Sequence, residues 1–298
     1  MANLKEIRIR IASVTTTRQI TSAMKMVSAA KLKRAQDAVL QIRPYSEKLS
    51  NIITNVLQTD FSEDDKKYTE QRNINSVLIV LVTSNRGLCG AFNSNVIKGA
   101  LSIALNDYNS LLEKKRVKFL CIGKKGYDYL KGKDIPIINY NSNVIEKPDL
   151  DSIYSIADEI IESYLKKEFD KIIVVYNSFK NAAVQILTKE QFLPLKIDIK
   201  KTEKAKNLKQ YKADYIIEPS RKEIIEELLP KYLKVNFYKA IIDSIASEHG
   251  ARMTAMHKAT DNATELLKEL ILNYNKARQA TITNEILEIV SGAEALKG

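Results

Sequence analysis

Apolar residues recur at helical spacing at both ends of the chain. Near the start they step by three and four, and the stepping resumes in a shifted phase, at Leu4, Ile7, Ile11, Val14 and then Ile20, Met24, Val27. Near the end they alternate by four and three, at Ala263, Leu266, Leu270, Tyr274, Ala277 and then Ile282, Ile286, Ile289, Ala293, Leu296. The pattern predicts a long helix over residues 1–57 and another over 219–298, regular from Lys231 onward.

Between these helices, apolar strands alternate with amphipathic helices. We predict strands at 76–83, 117–122, 135–138, 171–176 and 184–187, with helices at 95–112 and 151–166. The alternation predicts an α/β domain with a Rossmann-like outline over residues 76–193. Residues 197–211 are rich in lysine and poor in apolar side chains, so we expect a mobile surface loop within the segment 194–218.

Positive charge is concentrated at the start of the chain. The formal net charge is +11. Residues 1–48 carry ten basic and three acidic side chains, whereas residues 231–298 carry nine and eight. The helix at 20–36 combines its lysines with alanine and methionine, and methionine suits surfaces that meet several partner geometries. This helix predicts an acidic partner; the plainer alternative is packing on a second helix with the lysines in water.

Motifs for catalysis or cofactor binding are missing from the sequence. The glycine pairs at 87–90 and 123–126 follow strands, yet neither completes a GxGxxG, and no GK[ST] occurs. We expect simple turns there and no nucleotide cofactor. His249 and His257 are spaced by eight with no carboxylate between them on that face, so no metal site is expected.

The remaining sequence signals exclude further classes of protein. Cys89 and Cys121 have no paired spacing and no neighbouring histidine, so we expect two buried thiols. The longest apolar run, about 77–82, is far shorter than the roughly 20 residues of a membrane span. The basic start has a helical pattern that continues well beyond a targeting segment, and we interpret it as mature protein.

Several segments together resemble the gamma subunits of rotary F-type ATP synthases. The most specific is ITNEILEIVSGAEA at 282–295. The others are KEIR at 5–8, IASV at 11–14, ITSAMKMV at 20–27, TSNRGLCG at 83–90 and ASEHGARM at 246–253. The departures from the family pattern are Asn85, Ala91, Ile217 and Gly250. A glycine within a helix costs roughly 1 kcal/mol relative to alanine, so we expect Gly250 to soften its helix locally.

The resemblance implies a rotating axle without an active site of its own. It implies that the terminal helices form an antiparallel coiled coil in the cavity of a hexamer of three alpha and three beta subunits. The α/β domain would then lie on the membrane c-ring, next to the epsilon subunit. One copy per complex would couple ion flow to ATP synthesis or hydrolysis. The implied location is peripheral, on the cytoplasmic face of the bacterial inner membrane.

The resemblance also implies contact residues. On the first helix, acidic levers of the beta subunits would bear on Met24, Lys25, Lys31, Lys33 and Arg34. On the last helix, positions that bond a loop of a beta subunit match Arg252, Arg278, Gln279 and Thr283. In the foot near the ring and the epsilon subunit, the matching residues are Tyr215 and Glu218.

Two other classes of function remain as alternatives. A basic coiled-coil protein that binds nucleic acid would explain the charge of the first helix, although no aromatic or glycine residues interleave those charges. An independent Rossmann enzyme would need the glycine fingerprint that this chain lacks.

Overall fold

The structure is a computed structural model that describes residues 4–59, 67–195 and 221–295. Its helices are α1 (Leu4–Thr59), α2 (Phe92–Asn106), α3 (Asn109–Glu113), α4 (Lys124–Lys131), α5 (Asn143–Glu146), α6 (Leu150–Leu165) and α7 (Arg221–Ala295). Its strands are β1 (Val77–Val82), β2 (Val117–Ile122), β3 (Ile137–Asn141), β4 (Lys171–Phe179) and β5 (Gln185–Leu193). The predicted α/β class with long terminal helices is confirmed.

The five strands form one sheet in the order β3-β2-β1-β4-β5. The neighbours β1–β2, β2–β3 and β1–β4 are parallel, whereas β5 runs antiparallel to β4. All six residues of β1 are buried, as expected for the central strand of a sheet covered on both faces. Alternate β1 residues Val77, Ile79 and Leu81 belong to a core that includes Val96 and Ala100 of α2.

Several element boundaries differ from those predicted. The helix expected over 95–112 is two helices, because the backbone leaves helical geometry between Asn106 and Asn109. The third strand begins at Ile137 and not at 135, and the last strand extends to Leu193. Helix α7 begins at Arg221 and continues through Pro230, so it is already helical before Lys231, where we expected its regular part to begin. The predicted loop at 197–211 lies outside the described residues.

Contacts divide the chain into two compact units. One consists of Met1–Ala29 with Arg252–Gly298, and the other of Ala30–Ala251. In the second unit the two long helices pair in antiparallel fashion, because Ser46 contacts Asn236 and Ser50 contacts Tyr232. In the first unit a hydrogen bond joins Thr21 to Thr260. Each unit therefore contains a helix pair, and the second also contains the whole sheet.

The sheet and α7 meet through ring and charge contacts inside the second unit. The rings of Phe192 in β5 and Phe237 in α7 have centroids 5.7 Å apart. Tyr154 of α6 meets Tyr238 edge to face at 6.4 Å. Lys234 forms an ion pair of 2.8 Å with Asp158 of α6. Through these contacts, one face of α7 packs against the α/β domain.

Candidate partner interface on the terminal helices

Buried positions on α1 follow one unbroken heptad pattern. The buried or half-buried positions alternate by three and four along Leu4, Ile7, Ile11, Val14, Arg18, Thr21, Lys25, Ser28, Leu32, Ala35, Val39, Ile42, Ser46, Leu49, Ile53 and Val56. The phase shift that we predicted at Ile20 is therefore wrong. Ile20 is 54 % exposed and Val27 is 57 % exposed, while the polar Ser28 is 2 % exposed.

The same pattern explains the polar residues in the middle of α1. At 18–28 the seam holds Arg18, Thr21, Lys25 and Ser28, so apolarity alone does not mark it. Hydrogen bonds satisfy two of these side chains. Thr21 accepts a bond of 2.9 Å from the Thr260 hydroxyl, and the Ser28 hydroxyl donates to the Met24 carbonyl at 2.7 Å. Hydrogen bonds close to the seam thus satisfy polar groups that lie in it. In this stretch, apolar side chains such as Ile20 and Val27 lie on the outer face of the helix.

On α7 the facing seam runs through Met256, Thr260, Ala263, Leu267, Leu270, Tyr274 and Ala277. We predicted Leu266 in this seam, but Leu266 is 44 % exposed. Its neighbour Leu267, which is 6 % exposed, occupies the seam position. After Ala277 every residue of α7 through Ala295 is exposed. We call residues 278–295 the overhang, because no described residue covers them.

The predicted contact residues of α1 fall into two groups. Lys31, Lys33 and Arg34 are exposed within one helical turn of each other. Met24 and Lys25 are half-buried, and Lys25 occupies a seam position. Sequence reasoning missed the exposed apolar side chains Ile20, Met26 and Val27 as candidate contacts. A single heptad register extended along all of α1 would have placed these three residues outside the seam and so indicated that they are exposed.

The predicted contact residues of α7 also separate. Arg252 is 8 % exposed, so little of its side chain is accessible to a partner. Arg278, Gln279 and Thr283 are exposed at the start of the overhang. The Thr283 hydroxyl donates to the Gln279 carbonyl at 2.9 Å, one helical turn back. Arg252 lies about 39 Å from Arg278 along an ideal helix, so the structure does not bring these two together.

The overhang carries a large exposed apolar surface. The exposed side chains are Ile282 at 43 %, Ile286 at 55 %, Leu287 at 60 %, Ile289 at 71 % and Val290 at 51 %. These positions lie on more than one side of the helix, since successive residues of a helix point about 100° apart. An apolar surface of this extent is typical of a helix that enters a protein partner.

The amides at the start of α4, in the loop after β2, make hydrogen bonds within the chain. The first amides of α4 are already bonded: Lys124 N–H to the Asn85 side chain, Lys125 N–H to the Ser84 carbonyl and Gly126 N–H to the Thr83 hydroxyl. A phosphate at this helix terminus would need the same amides. Acceptors from Thr83, Ser84 and Asn85 therefore already bond the amides that a phosphate at this terminus would use.

The loop after β1 instead presents an apolar side chain outward. Leu88 has a φ of 63° and is 65 % exposed. Behind it, Ser84 and Asn93 exchange hydrogen bonds of 2.9 and 2.8 Å, and Cys89 is buried beside them. An exposed apolar side chain on a non-glycine residue at positive φ is a further candidate contact.

Tyr215 and Glu218 lie outside the described residues, so their predicted role stays a prediction. Among the residues that the structure describes, no group of histidine, cysteine and carboxylate side chains could hold a metal ion. His257 pairs with Asp261 at 3.3 Å on an exposed face. In the same described ranges, no helix is both long enough and apolar enough to cross a bilayer.

Comparison with known proteins decides the family. The ATP synthase family profile matches residues 3–296. The ATP synthase gamma chain of Flavobacterium psychrophilum is 55 % identical over 298 residues, covering 100 % of both chains. That of Christiangramia forsetii is 53 % identical, again over 100 % of both chains. The chain belongs to the ATP synthase gamma-chain family. The predicted family resemblance is thereby confirmed.

Solved structures of ATP synthases share the gamma-chain fold. A chain from the Tetrahymena thermophila mitochondrial enzyme, described as central stalk and c-ring, matches with a TM-score of 0.57 and 25 % identity. The match covers 80 % of this chain and 99 % of that one. A chain from the Euglena gracilis mitochondrial enzyme matches with a TM-score of 0.67 and 22 % identity, covering 98 % and 94 %.

Proposed function

We propose that this gamma chain is the central shaft of a rotary ATP synthase, turning inside a hexamer of alpha and beta subunits. The overhang carries the proposal: a helix exposed on all sides, with apolar side chains and no cover from the described chain, fits a cavity supplied by other subunits. Family membership and the likeness to a chain from a central-stalk structure support the same assignment. The shaft itself is not catalytic.

We further propose two kinds of contact with the hexamer. Lys31, Lys33 and Arg34 form an exposed basic patch that suits acidic levers of the beta subunits, because diffuse charge attracts without fixing one geometry. Arg278, Gln279 and Thr283 suit specific hydrogen bonds to a loop of a beta subunit. Ile20, Met26 and Val27 add an adaptable apolar surface beside the basic patch.

At the opposite end we propose contact with the epsilon subunit and the c-ring through Tyr215 and Glu218. This placement rests on the family resemblance. It implies one copy per complex and a peripheral position at the cytoplasmic face of the bacterial inner membrane.

Nucleic-acid binding remains testable as the alternative function. The comparisons support an ATP synthase chain and not that alternative. Lys31, Lys33 and Arg34 of α1 are exposed, but residues 18–34 contain no aromatic side chain on which a base could stack.

Co-expression with the alpha and beta chains of the same organism tests the shaft proposal. We expect one gamma chain to co-purify with the hexamer, and a bead attached to the gamma chain to rotate when ATP is added. A chain shortened after Ala277 should lose most of this association, and one carrying Lys114→Ala should not. Co-purification that is unaffected by the truncation would contradict the role given to the overhang.

A further inference from the structure

Arg43 joins three elements of the second unit at one point. From α1, its Nη2 donates 2.8 Å hydrogen bonds to Oδ1 of Asp243 in α7 and to the carbonyl of Phe179 at the end of β4. The other carboxylate oxygen, Oδ2 of Asp243, accepts a bond of 3.4 Å from the Ser178 hydroxyl. The two long helices and the sheet therefore share one hydrogen-bonded group, which we call the joint.

The two charges of the joint differ in burial. The Asp243 side chain is 2 % exposed, whereas that of Arg43 is 37 % exposed. Burial raises the pKa of the Asp243 carboxyl, and the adjacent Arg43 guanidinium opposes the rise. Moving α1 away from α7 would remove the Arg43 guanidinium from a carboxylate that is almost fully buried, which is strongly unfavourable.

The surrounding contacts are of a different physical kind. The pairs Phe192–Phe237 and Tyr154–Tyr238 bury apolar surface, and apolar burial is non-directional, so such surfaces can slide under load. A guanidinium is a planar donor with fixed directions. A small rotation of the helices against the sheet misaligns these hydrogen bonds while the ring contacts persist.

The turn after β4 also lies close to α7. A Cβ built on Gly250 would lie 3.2 Å from both the Cα and the carbonyl oxygen of Ala182. The hairpin between β4 and β5 thus contacts α7 about two turns of helix beyond Asp243. The end of β4 therefore contacts the long helices at two nearby places: the hydrogen bonds of the joint and the close packing of Gly250 against Ala182.

We propose that Arg43 and Asp243 are the torque-bearing joint of the shaft, which keeps the α/β domain from twisting relative to the helix pair. The inference rests on the proposed function, because only a shaft under load requires resistance to twist. Arg43 and Asp243 are thus positioning residues: they hold the parts of the rotor in fixed angle and touch no substrate.

The closing experiment measures twist in the complete complex. Cys89 and Cys121 are buried, so a cysteine introduced at exposed Lys114, in the α/β domain, or at exposed Lys48, in α1, takes the bead. The hexamer is fixed to a surface and stalled, and the angular variance of the bead is recorded at each site. Lys234→Met is the matched control, because it breaks an ion pair between α7 and α6 whose carboxylate, that of Asp158, is 48 % exposed, whereas that of Asp243 is 2 % exposed.

We expect Asp243→Asn to increase the angular variance at Lys114, because a directional restraint on the α/β domain is lost, and to leave the variance at Lys48 unchanged. Lys234→Met should change neither. Equal variance at Lys114 in wild type and Asp243→Asn would overturn the joint.

A second variant covers the case in which Asp243→Asn fails to assemble. Arg43→Lys keeps the positive charge at this partly exposed position, but lysine lacks the planar guanidinium that donates in fixed directions. It should also widen the distribution at Lys114, and unchanged width would again overturn the joint. A wild-type bead that never turns on ATP would instead refute the proposed function.

Discussion

At the scale of single residues, two glycines serve close packing at different points. Gly123 follows β2 with a φ of 98°, and a Cβ there would lie 2.0 Å from the Thr83 carbonyl oxygen. Gly250 has space for a Cβ only if Ala182 shifts by a few tenths of an ångström. We expected Gly250 to soften its helix; the structure gives it a packing role beside the β4–β5 turn. The sequence shows the helix-propensity cost of Gly250, but the neighbour across space is not visible in it.

Gly123→Ala should strongly destabilise the α/β domain. Both the backbone conformation and the Thr83 carbonyl oppose a side chain, so we expect a loss of about 3 kcal/mol or more in the free energy of unfolding. Gly132→Ala is the matched control, because its Cβ would meet nothing closer than 3.4 Å. That variant should stay within about 1 kcal/mol of wild type. Urea unfolding of the isolated chains measures both, and similar losses would contradict the account.

The Cys121 thiol should respond to pH only under strongly alkaline conditions. Burial raises its pKa from 9.0 to about 12, so the folded chain holds the proton more tightly than the unfolded chain does. This contribution to stability is complete below pH 9.0 and should decrease as the pH rises from 9.0 towards about 12.

Thermal unfolding between neutral pH and pH 11 measures this dependence. The melting temperature of Cys121→Ala should fall less steeply over the alkaline range than that of wild type. In native wild type near pH 8, iodoacetamide should modify Cys121 no faster than the chain unfolds, since the thiolate is the reactive form. Rapid modification would show that the thiol is accessible.

At the scale of elements, the helices were predictable but the phase of α1 was not. Spacing by three and four marks a helix, and the seam at either end of α1 is apolar enough to be seen. Between Arg18 and Ser28 the seam is polar, while Ile20 and Val27 lie outside it. Sequence reasoning assigns apolar residues to the core, so it misses a stretch where apolar residues face a partner. By contrast, β1 was predicted correctly, because all of its residues are buried and the strand is therefore a continuous apolar run in the sequence.

Two valines on α1 test the heptad phase directly. Val39 is 3 % exposed and Val27 is 57 % exposed. Val39→Ala should therefore reduce the free energy of unfolding of the isolated chain by about 1–3 kcal/mol. Val27→Ala should change it by less than about 0.5 kcal/mol. The opposite ranking in urea unfolding would restore the shifted phase that the sequence indicated.

At the scale of the whole molecule, the candidate interface was predictable only through family resemblance. Charge alone indicated an acidic partner for α1, and no periodicity distinguished the overhang at 278–295 from the rest of a coiled coil. Within the described residues, α1 is described from Leu4 onward, and Ala277 is the last half-buried residue of α7. Which subunit contacts which side chain depends on partner surfaces that this sequence does not contain.

The two proposed kinds of contact should respond differently to mutation in the assembled complex. Lys33→Ala should matter little, because exposed ion pairs contribute about 0–1 kcal/mol. Gln279→Ala or Thr283→Ala should lower complex yield or ATPase rate more, since a partner left without its hydrogen bond costs about 1–3 kcal/mol.

Complex yield and turnover of the three variants, compared at equal protein and salt, decide between the two contacts. Raising the ionic strength gives a second readout, because salt screens the basic patch more than shielded hydrogen bonds. If Lys33→Ala is clearly the most impaired variant, the specific contact lies on α1 and not on the overhang.

The bare end of α7 has a thermodynamic consequence for the life of the chain before assembly. Within the described residues, residues 278–295 are exposed on every side, so this end of α7 lacks the tertiary packing from which most helical stability in proteins comes. Under the function we propose, part of the free energy of binding to the hexamer is consumed in ordering these residues. This cost would let the shaft bury the apolar side chains of the overhang in a partner without binding so tightly that it could not turn.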